Sequence, residues 1–378
     1  MMIFTLEALD ARHGDSLLVH YGPRGSPHLA VVDGGPAGVY GATLRPRLRE
    51  LSGAHDGVDP LTIELVMVSH IDDDHIRGIL DLTAELGERF EDRDPLPFAI
   101  RRLWLNSFDD IIGNQDVELF STLTHGGATP SSLQVQAPSL AVAANVPQGR
   151  RLRDDARKLA IPLNRPFEGL VTRTDPGAPT IPLSDGVQLT VLAPSLARVK
   201  ELQKEWDKVL RQRGLAHDAA LARAAALLDD SVFNLSSVVV LARLQERTML
   251  LTGDARGDDI IEGLEAAGLL SGGTLHVDVL KLPHHGSARN VDDNFFHAVT
   301  ADHYVISANG RDGNPDLATL RMLAAARPDD GFALHLTNRE RRLETHFEQE
   351  RSAGRTYEVS FRGRRPSLRI DLAETLPF

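Results

Sequence analysis

His70-Ile-Asp-Asp-Asp-His75 follows directly on the apolar run Ile63-Glu-Leu-Val-Met-Val-Ser69. A β-forming run that ends in imidazoles and carboxylates reads as a strand delivering metal ligands to the rim of a sheet. His70 and Asp72 point the same way from extended backbone, whereas the adjacent Asp74 and His75 diverge unless the chain turns. One loop can thus serve two metal positions. The plainer reading is a solvated acidic loop. Two further segments repeat the design and favour the metal. Met249-Leu-Leu-Thr-Gly-Asp254 is a short apolar strand that stops at a carboxylate, which makes Asp254 a candidate bridging ligand; taken alone, a strand-end Asp is more often a turn former. Val277-Asp-Val-Leu-Lys-Leu-Pro-His-His-Gly-Ser287 supplies a strand, a proline, two adjacent histidines and then Gly286, which frees the backbone to turn sharply.

Outward from these strand ends, Phe4 to Ala8, Ser16 to Tyr21 and His28 to Val32 read as three strands separated by turn residues, the start of a β-sandwich sheet. Residues 41–53 and 75–90 are helical in pattern; Ile76, Ile79, Leu80, Leu82 and Leu86 share one face, so His75 falls at or near a helix N-terminus. After Asn234, Val238 to Leu244 and Thr248 to Thr252 form a hairpin, Asp258 to Ala267 a helix, and Val277 to Leu282 and His303 to Ser307 strands. Residues 107–232 depart from this pattern. Asp109 to Arg153 reads as an insertion, Ile181 to Ala193 as a strand pair around Ser184-Asp-Gly186, and Ala197 to Leu227 as a helix-rich cover or partner surface. The plainer role of that last segment is to pack Trp206, Leu210 and Leu215 on the sheet. Two β-rich halves with helices outside suggest an αββα sandwich. The fold class is α/β (α+β), one domain over 1–378 with a divergent, helix-rich insertion at 107–232 and an Arg-rich elaboration at 326–378.

Composition narrows the chemistry. With 378 residues, 42% hydrophobic and 25% charged, the chain can bury a substantial core. It has no cysteine, which excludes disulfides and thiolate ligands and leaves nitrogen and oxygen to hold any metal. Imidazole with several carboxylates suits manganese as well as zinc. The N-terminus has no basic segment before a long apolar stretch, and no run reaches the roughly 18 apolar residues of a membrane span, so the expectation is a cytoplasmic protein without membrane contact. A formal charge of −12 argues against a general nucleic-acid surface. Arg339, Arg341, Arg342, Arg351, Arg355, Arg362, Arg364, Arg365 and Arg369 do gather near the C-terminus, interleaved with glutamates, as a solvated surface or a local phosphate-binding patch.

Gly14-Asp-Ser-Leu-Leu-Val-His20, Ala30-Val-Val-Asp-Gly-Gly35, the His70 to His75 motif, Leu250-Leu-Thr-Gly-Asp254 and Lys281-Leu-Pro-His-His-Gly-Ser287 occur in that order. The chain in this respect resembles the metallo-β-lactamase-fold hydrolases over residues 1 to about 325. The last two segments, with Phe233-Asn-Leu-Ser-Ser-Val238 and Tyr304-Val-Ile-Ser-Ala-Asn-Gly310, are similar to the branch containing the hydrolase domain of the DNA-uptake protein ComEC. The resemblance implies that Asp33, otherwise an ordinary Asp-Gly turn residue, orients a ligand histidine. Asp72 stands where the family usually has His, which makes the first metal position richer in oxygen. Asn106, at the end of Leu103-Trp-Leu105, is the positional substitute for the third histidine that many members supply, and Asn314-Pro315 stands where relatives often have His-Pro.

From these residues one or two divalent ions, zinc or manganese, are expected per chain. His70, Asp72 and Asp254 would hold one; Asp74, His75, Asp254 and either His284 or His285 would hold the other. His285 is preferred because it directly precedes Gly286, leaving His284 to donate a proton or contact the leaving oxygen. A water shared by two ions has its pKa brought from about 15.7 towards neutrality, so a bridging hydroxide is the expected nucleophile, with Asp74 and His284 as catalytic residues. Two-metal sites suit in-line displacement at phosphorus. The first expectation is therefore a phosphodiesterase or nuclease with DNA as the candidate polymer, and Lys281, Ser287 and Asn309 are the candidate substrate contacts. The alternatives are a small-molecule ester or lactam hydrolase of the same fold, and a degenerate metal-binding scaffold acting through a partner protein docked on residues 197–227.

Overall fold

The computed structural model describes residues 1–54, 60–107, 110–111, 137–174, 176–201, 204 and 236–378. The first half supplies strands β1 (Met2–Leu9), β2 (Leu17–Pro23), β3 (His28–Val32), β4 (Leu61–Ile63), β5 (Leu65–Met67), β6 (Phe98–Ile100) and β7 (Leu103–Trp104). The second supplies β8 (Thr180–Pro182), β9 (Gln188–Ala193), β10 (Val239–Leu244), β11 (Arg247–Leu251), β12 (Leu275–Lys281), β13 (Val299–Ile306), β14 (Ala333–Leu336), β15 (Glu358–Phe361) and β16 (Ser367–Asp371). One sheet has the order β16-β1-β2-β3-β5-β7 and the other β15-β14-β13-β12-β11-β10-β9-β8, while β4 and β6 pair separately.

Alternation along the strands decides which layer each side chain enters. Leu17, Val19 and Tyr21 of β2 and Ala30 and Val32 of β3 meet Val240 and Ala242 of β10 and Met249 and Leu251 of β11 in a core between the sheets. The intervening Leu18, Leu29 and Val31 face outward, against α1 (Arg45–Ala54), α2 (Asp73–Asp92) and α3 (Ala137–Lys158), through Leu48, Ile76, Ile79 and Leu152. On the far side Val239, Leu241 and Leu250 pack on α4 (Gly257–Ala266), α5 (Asp293–Ala298), α6 (Leu317–Ala326) and α7 (Arg341–Ser352). Helix, sheet, sheet, helix is the expected αββα sandwich. No helix among the described residues is long and apolar enough to cross a membrane.

Most of the expected elements lie within a few residues of their place, and the exceptions are instructive. Residues 326–378, expected as an elaboration, complete both sheets. β14 and β15 extend one, and β16 pairs antiparallel with β1 in the other, burying Leu368 and Ile370. Its charges disguised a half-buried strand. The arginines of this segment are largely engaged: Arg339 with Glu344 at 2.5 Å, Arg342 with Glu340 at 2.9 Å, Arg355 with Asp330 at 2.6 Å and Arg362 with Asp10 at 2.7 Å. The partner surface expected over 197–227 lies almost wholly outside the described residues, as do Trp206, Leu210 and Leu215.

Parallel pairing has a functional consequence. β3, β5 and β7 run parallel, as do β11, β12 and β13, so their C-terminal ends gather along one edge of the sandwich. Asp33, His70, Asp254, Lys281 and Ser307 all lie at or just past those ends.

At the β16 edge, the buried Glu7 carboxylate takes Arg47 at 3.0 Å, His20 at 2.8 Å and Arg369 at 3.4 Å, with the Ser367 hydroxyl donating to it. Burial alone would raise the Glu7 pKa, but His20, Arg47 and Ser367 bring it down to about 2. A depressed carboxylate contributes stability above its unfolded pKa and loses it as pH falls towards the folded value. Wild-type stability should therefore decline between about pH 4.5 and 2 through this group. Glu7→Gln should remove that component and cost on the order of 3 kcal/mol at neutral pH, because Arg47 stays buried. Urea unfolding at pH 7 and pH 3 tests this; equal loss with acid in both proteins would refute it.

Candidate metal centre

The His70 to His75 loop is held from below by Asp33, a non-glycine residue in the left-handed region at φ 60°. Its two carboxylate oxygens accept from the Ser69 amide and the Ser69 hydroxyl, each at 2.7 Å, and the second also accepts from His75 Nδ1 at 2.9 Å. That bond turns His75 Nε2 into the site, the orienting arrangement commonly seen behind metal-bound histidines. Asp73 and Asp74 occupy the first turn of α2, where the helix dipole favours negative charge. Close backbone packing fixes the helix start: a Cβ on Gly34 would come within 2.4 Å of the Ile79 nitrogen, so only glycine fits.

The facing half of the site comes from β11 and β12. Asp254 follows β11, and His284 and His285 follow β12 in a turn where both adopt left-handed backbone, φ 46° and 56°, ahead of Gly286 at φ 82°. Such backbone is costly for residues with side chains and persists where surrounding contacts impose it. Here His285 Nδ1 donates to the Ser307 carbonyl at 2.9 Å. His284 Nδ1 bonds Asn290 Oδ1 at 2.7 Å, and Asn290 in turn donates to the Asp254 carbonyl at 2.9 Å. Both imidazoles are thereby left with Nε2 directed at Asp254, 3.6 Å from its Oδ2 for His284 and 3.7 Å for His285.

The remaining distances close the cluster. His70 Nε2 lies 3.4 Å from Asp72 and 3.8 Å from Asp254, His75 Nε2 3.3 Å from Asp254 Oδ1, and His285 Nε2 3.4 Å from Asp74. Among the described residues four overlapping donor groups result, each with ligand atoms within 4.8 Å of one another; two are His70 with His75 and Asp254, and Asp74 with His75 and His285, and the other two bring in Asp15. His75 therefore stands between the two positions rather than in one. The buried His70 Nε2, His75 Nε2, His285 Nε2 and Asp254 Oδ1 have no hydrogen-bond partner. Unpaired buried polar atoms are expensive, and so many converging on one spot fit a cation held by nitrogen and oxygen.

The electrostatics agree. Burial pushes the Asp254 carboxyl up, but His75, His285 and His284 hold it well below the usual range, and His75 and His285 do the same for Asp74. Conversely, burial lowers the histidines, while Asp254 and Asp74 lift His75 well above its ordinary value and Asp254 and Asp15 lift His285 to about 10. Without a cation, the carboxylates are balanced by protons on the imidazoles.

Not every expected residue joins the cluster. Asn106 is buried with both side-chain polar atoms bonded to the Val171 backbone, at 2.9 and 2.8 Å, so it is a structural tie and not the substitute for a third histidine. Lys281, expected at the substrate, is fully buried and salt-bridged to Asp15 at 2.6 Å. Ser287 is buried too, its hydroxyl accepting from the Arg289 amide at 3.4 Å. Half-buried Asn309 caps its own loop by accepting from the Arg311 amide at 3.1 Å. Asp15, Ser69 and Asn290 escaped sequence reasoning. The available signal for Asp15 was the Gly14-Asp15 turn: a Cβ on Gly14 would come within 1.9 Å of the Asp74 carbonyl, so this turn lies directly against the ligand loop.

Fold and site together define an αββα sandwich with an imidazole–carboxylate centre at its strand ends. No family model and no curated protein matches the chain. Among solved structures it is similar to a protein from Parabacteroides distasonis provisionally described as a metal-dependent hydrolase, at 9% identity over 88% of this chain and 98% of that one, with a TM-score of 0.34. It is also similar to Zn(2+)-bound PqqB from Methylobacterium extorquens, at 11% identity over 95% of this chain and 88% of that one, TM-score 0.39.

Because the surrounding carboxylates raise the pKa values of His75 and His285, a cation competes with protons for both rings. Zinc titrated into metal-free protein in weak buffer at pH 7 should release protons, and affinity should rise by up to about a hundredfold per pH unit for two displaced protons. Binding without proton release, or with affinity independent of pH, would contradict this arrangement.

Proposed function

We propose that this chain is a metal-dependent hydrolase whose substrates are phosphodiesters. The observation carrying the proposal is the convergence of unpaired buried ligand atoms, His70 Nε2, His75 Nε2, His285 Nε2 and Asp254 Oδ1, on one point at the strand-end edge. His70, Asp72, Asp74, His75, Asp254 and His285 would hold one or two divalent ions, zinc or manganese. When bound, such ions polarise a phosphoryl oxygen and supply a nucleophilic water near neutral pH.

The residues of the chain do the remaining work. Asp33 and the Ser307 carbonyl keep the ligand nitrogens of His75 and His285 facing inward. His284 is the more accessible of the paired histidines, 29% exposed against 4% for His285, and its Nε2 is the atom from which a proton can pass to a leaving oxygen. The phosphodiester assignment is supported by two donor groups side by side, an arrangement suited to holding attacking and leaving oxygens together, and by the resemblance to the ComEC-type branch, which suggests DNA. The formal charge of −12 favours local recognition of a diester over tight general binding to a polymer.

The test is metal analysis of protein purified without chelator, with zinc- and manganese-dependent cleavage of bis(p-nitrophenyl) phosphate and single-stranded DNA. Asp74→Ala and Asp254→Ala should each lower kcat by at least about a hundredfold while the circular-dichroism spectrum is retained. His284→Ala should keep its metal and lose turnover, by about a hundredfold. Cleavage of p-nitrophenyl acetate but of no diester would move the substrate class to carboxylic esters. Absence of metal and of cleavage with either ion would leave a scaffold.

A further inference from the structure

The loop after β13, Asn309-Gly-Arg-Asp-Gly313, is clamped from behind. A Cβ on Gly310, at φ 81°, would collide with the Glu340 carboxylate, so the chain turns directly against that side chain. Glu340 is paired with Arg342 at 2.9 Å, and the Arg342 guanidinium also donates to the Gly313 carbonyl at 2.7 Å and the Pro315 carbonyl at 2.9 Å. Asn309 Oδ1 closes the turn on the Arg311 amide. What this clamped loop presents is Arg311, exposed, whose Nη1 donates to His13 Nε2 at 2.9 Å.

His13 immediately precedes the Gly14-Asp15 turn, which lies against Asp74, and its ring is within electrostatic reach of Asp74, Asp312 and His285. The Arg311–His13 contact therefore stands at the mouth of the metal centre. Five of the arginines gathered towards the C-terminus, Arg339, Arg342, Arg355, Arg362 and Arg369, spend their charge on carboxylates. Around Arg311 no carboxylate lies within 4.0 Å among the described residues. A guanidinium aimed by an imidazole keeps most of its donors for a ligand, and its planar fork matches phosphate oxygens.

We infer that Arg311, positioned by His13, is the substrate-recognition residue of this site, and that the ligand it selects carries an anionic phosphoryl group. The inference rests on the phosphodiester reading and names the residues that discriminate for it. In a chain of charge −12, a cation beside the metal centre supplies a local attraction for an anion.

Arg311→Met and Arg311→Lys are compared with the wild type in two measurements. One is calorimetric titration with inorganic phosphate; the other is the steady-state kinetics of bis(p-nitrophenyl) phosphate hydrolysis. Phosphate affinity should fall about tenfold or more in Arg311→Met, with Arg311→Lys recovering only part of it, and KM should rise by a similar factor with kcat changed far less. His13→Ala should weaken phosphate less than Arg311→Met does, since the guanidinium remains. Unchanged phosphate affinity and KM in Arg311→Met would overturn the inference while leaving hydrolysis intact. Arg311-dependent phosphate binding in a protein that cleaves no diester would uphold it and reject the proposed function. A wild type that binds no phosphate would also overturn it.

Discussion

Everything at the strand-end edge depends on confining several carboxylates and imidazoles where water is scarce. Asp254, His70, His75 and His285 are buried, and buried charge is tolerated only when opposed. The protein opposes it in shells. The inner faces of the imidazoles look at Asp254 and Asp74, while the outer nitrogen of His75 is tied to Asp33, that of His285 to the Ser307 carbonyl and that of His70 to the Ser69 hydroxyl. Behind them, Lys281 opposes Asp15 at 2.6 Å, a carboxylate whose other oxygen lies 3.5 Å from His285 Nδ1. That pair explains why a lysine at the end of a central strand is fully buried.

The fold makes this confinement inexpensive in backbone terms. Parallel strands end on the same edge, so residues distant in sequence arrive together without long loops. Helix α2 starts at that edge and brings its dipole to Asp73 and Asp74. Glycines admit the closest approaches, Gly34 against α2 and Gly14 against Asp74, where any Cβ would separate elements that must touch.

Much of the architecture is legible in the sequence because its causes are local. Short apolar runs bounded by turn residues announce β2, β3, β10 and β11, and the apolar face of residues 76–86 announces α2. The ligand motifs are equally local, each a run of a few residues past a strand. What could not be read are relationships made only by folding. Lys281 reads as a substrate contact until Asp15 of the Gly14-Asp15 turn pairs with it. Asn106 reads as a ligand substitute until Val171 takes both its polar atoms. β16 alternates Leu368 and Ile370 with Arg369, and nothing local announces that its inner face closes the first sheet against β1.

The His284-His285 turn shows how local strain and long-range order meet. Two successive side-chain-bearing residues in left-handed backbone cost of order 1–3 kcal/mol each, and nothing in Pro283-His-His-Gly286 itself repays this. The repayment comes from elsewhere in the chain: the Ser307 carbonyl at the end of β13, Asn290 from the following loop and the Gly253 carbonyl, which accepts from the His284 amide at 3.1 Å. A relaxed turn would send one imidazole to solvent. The strained one divides the pair, with His285 buried among the carboxylates and His284 left at the surface of the cluster. The same backbone that costs stability thus assigns adjacent, chemically identical side chains to different work.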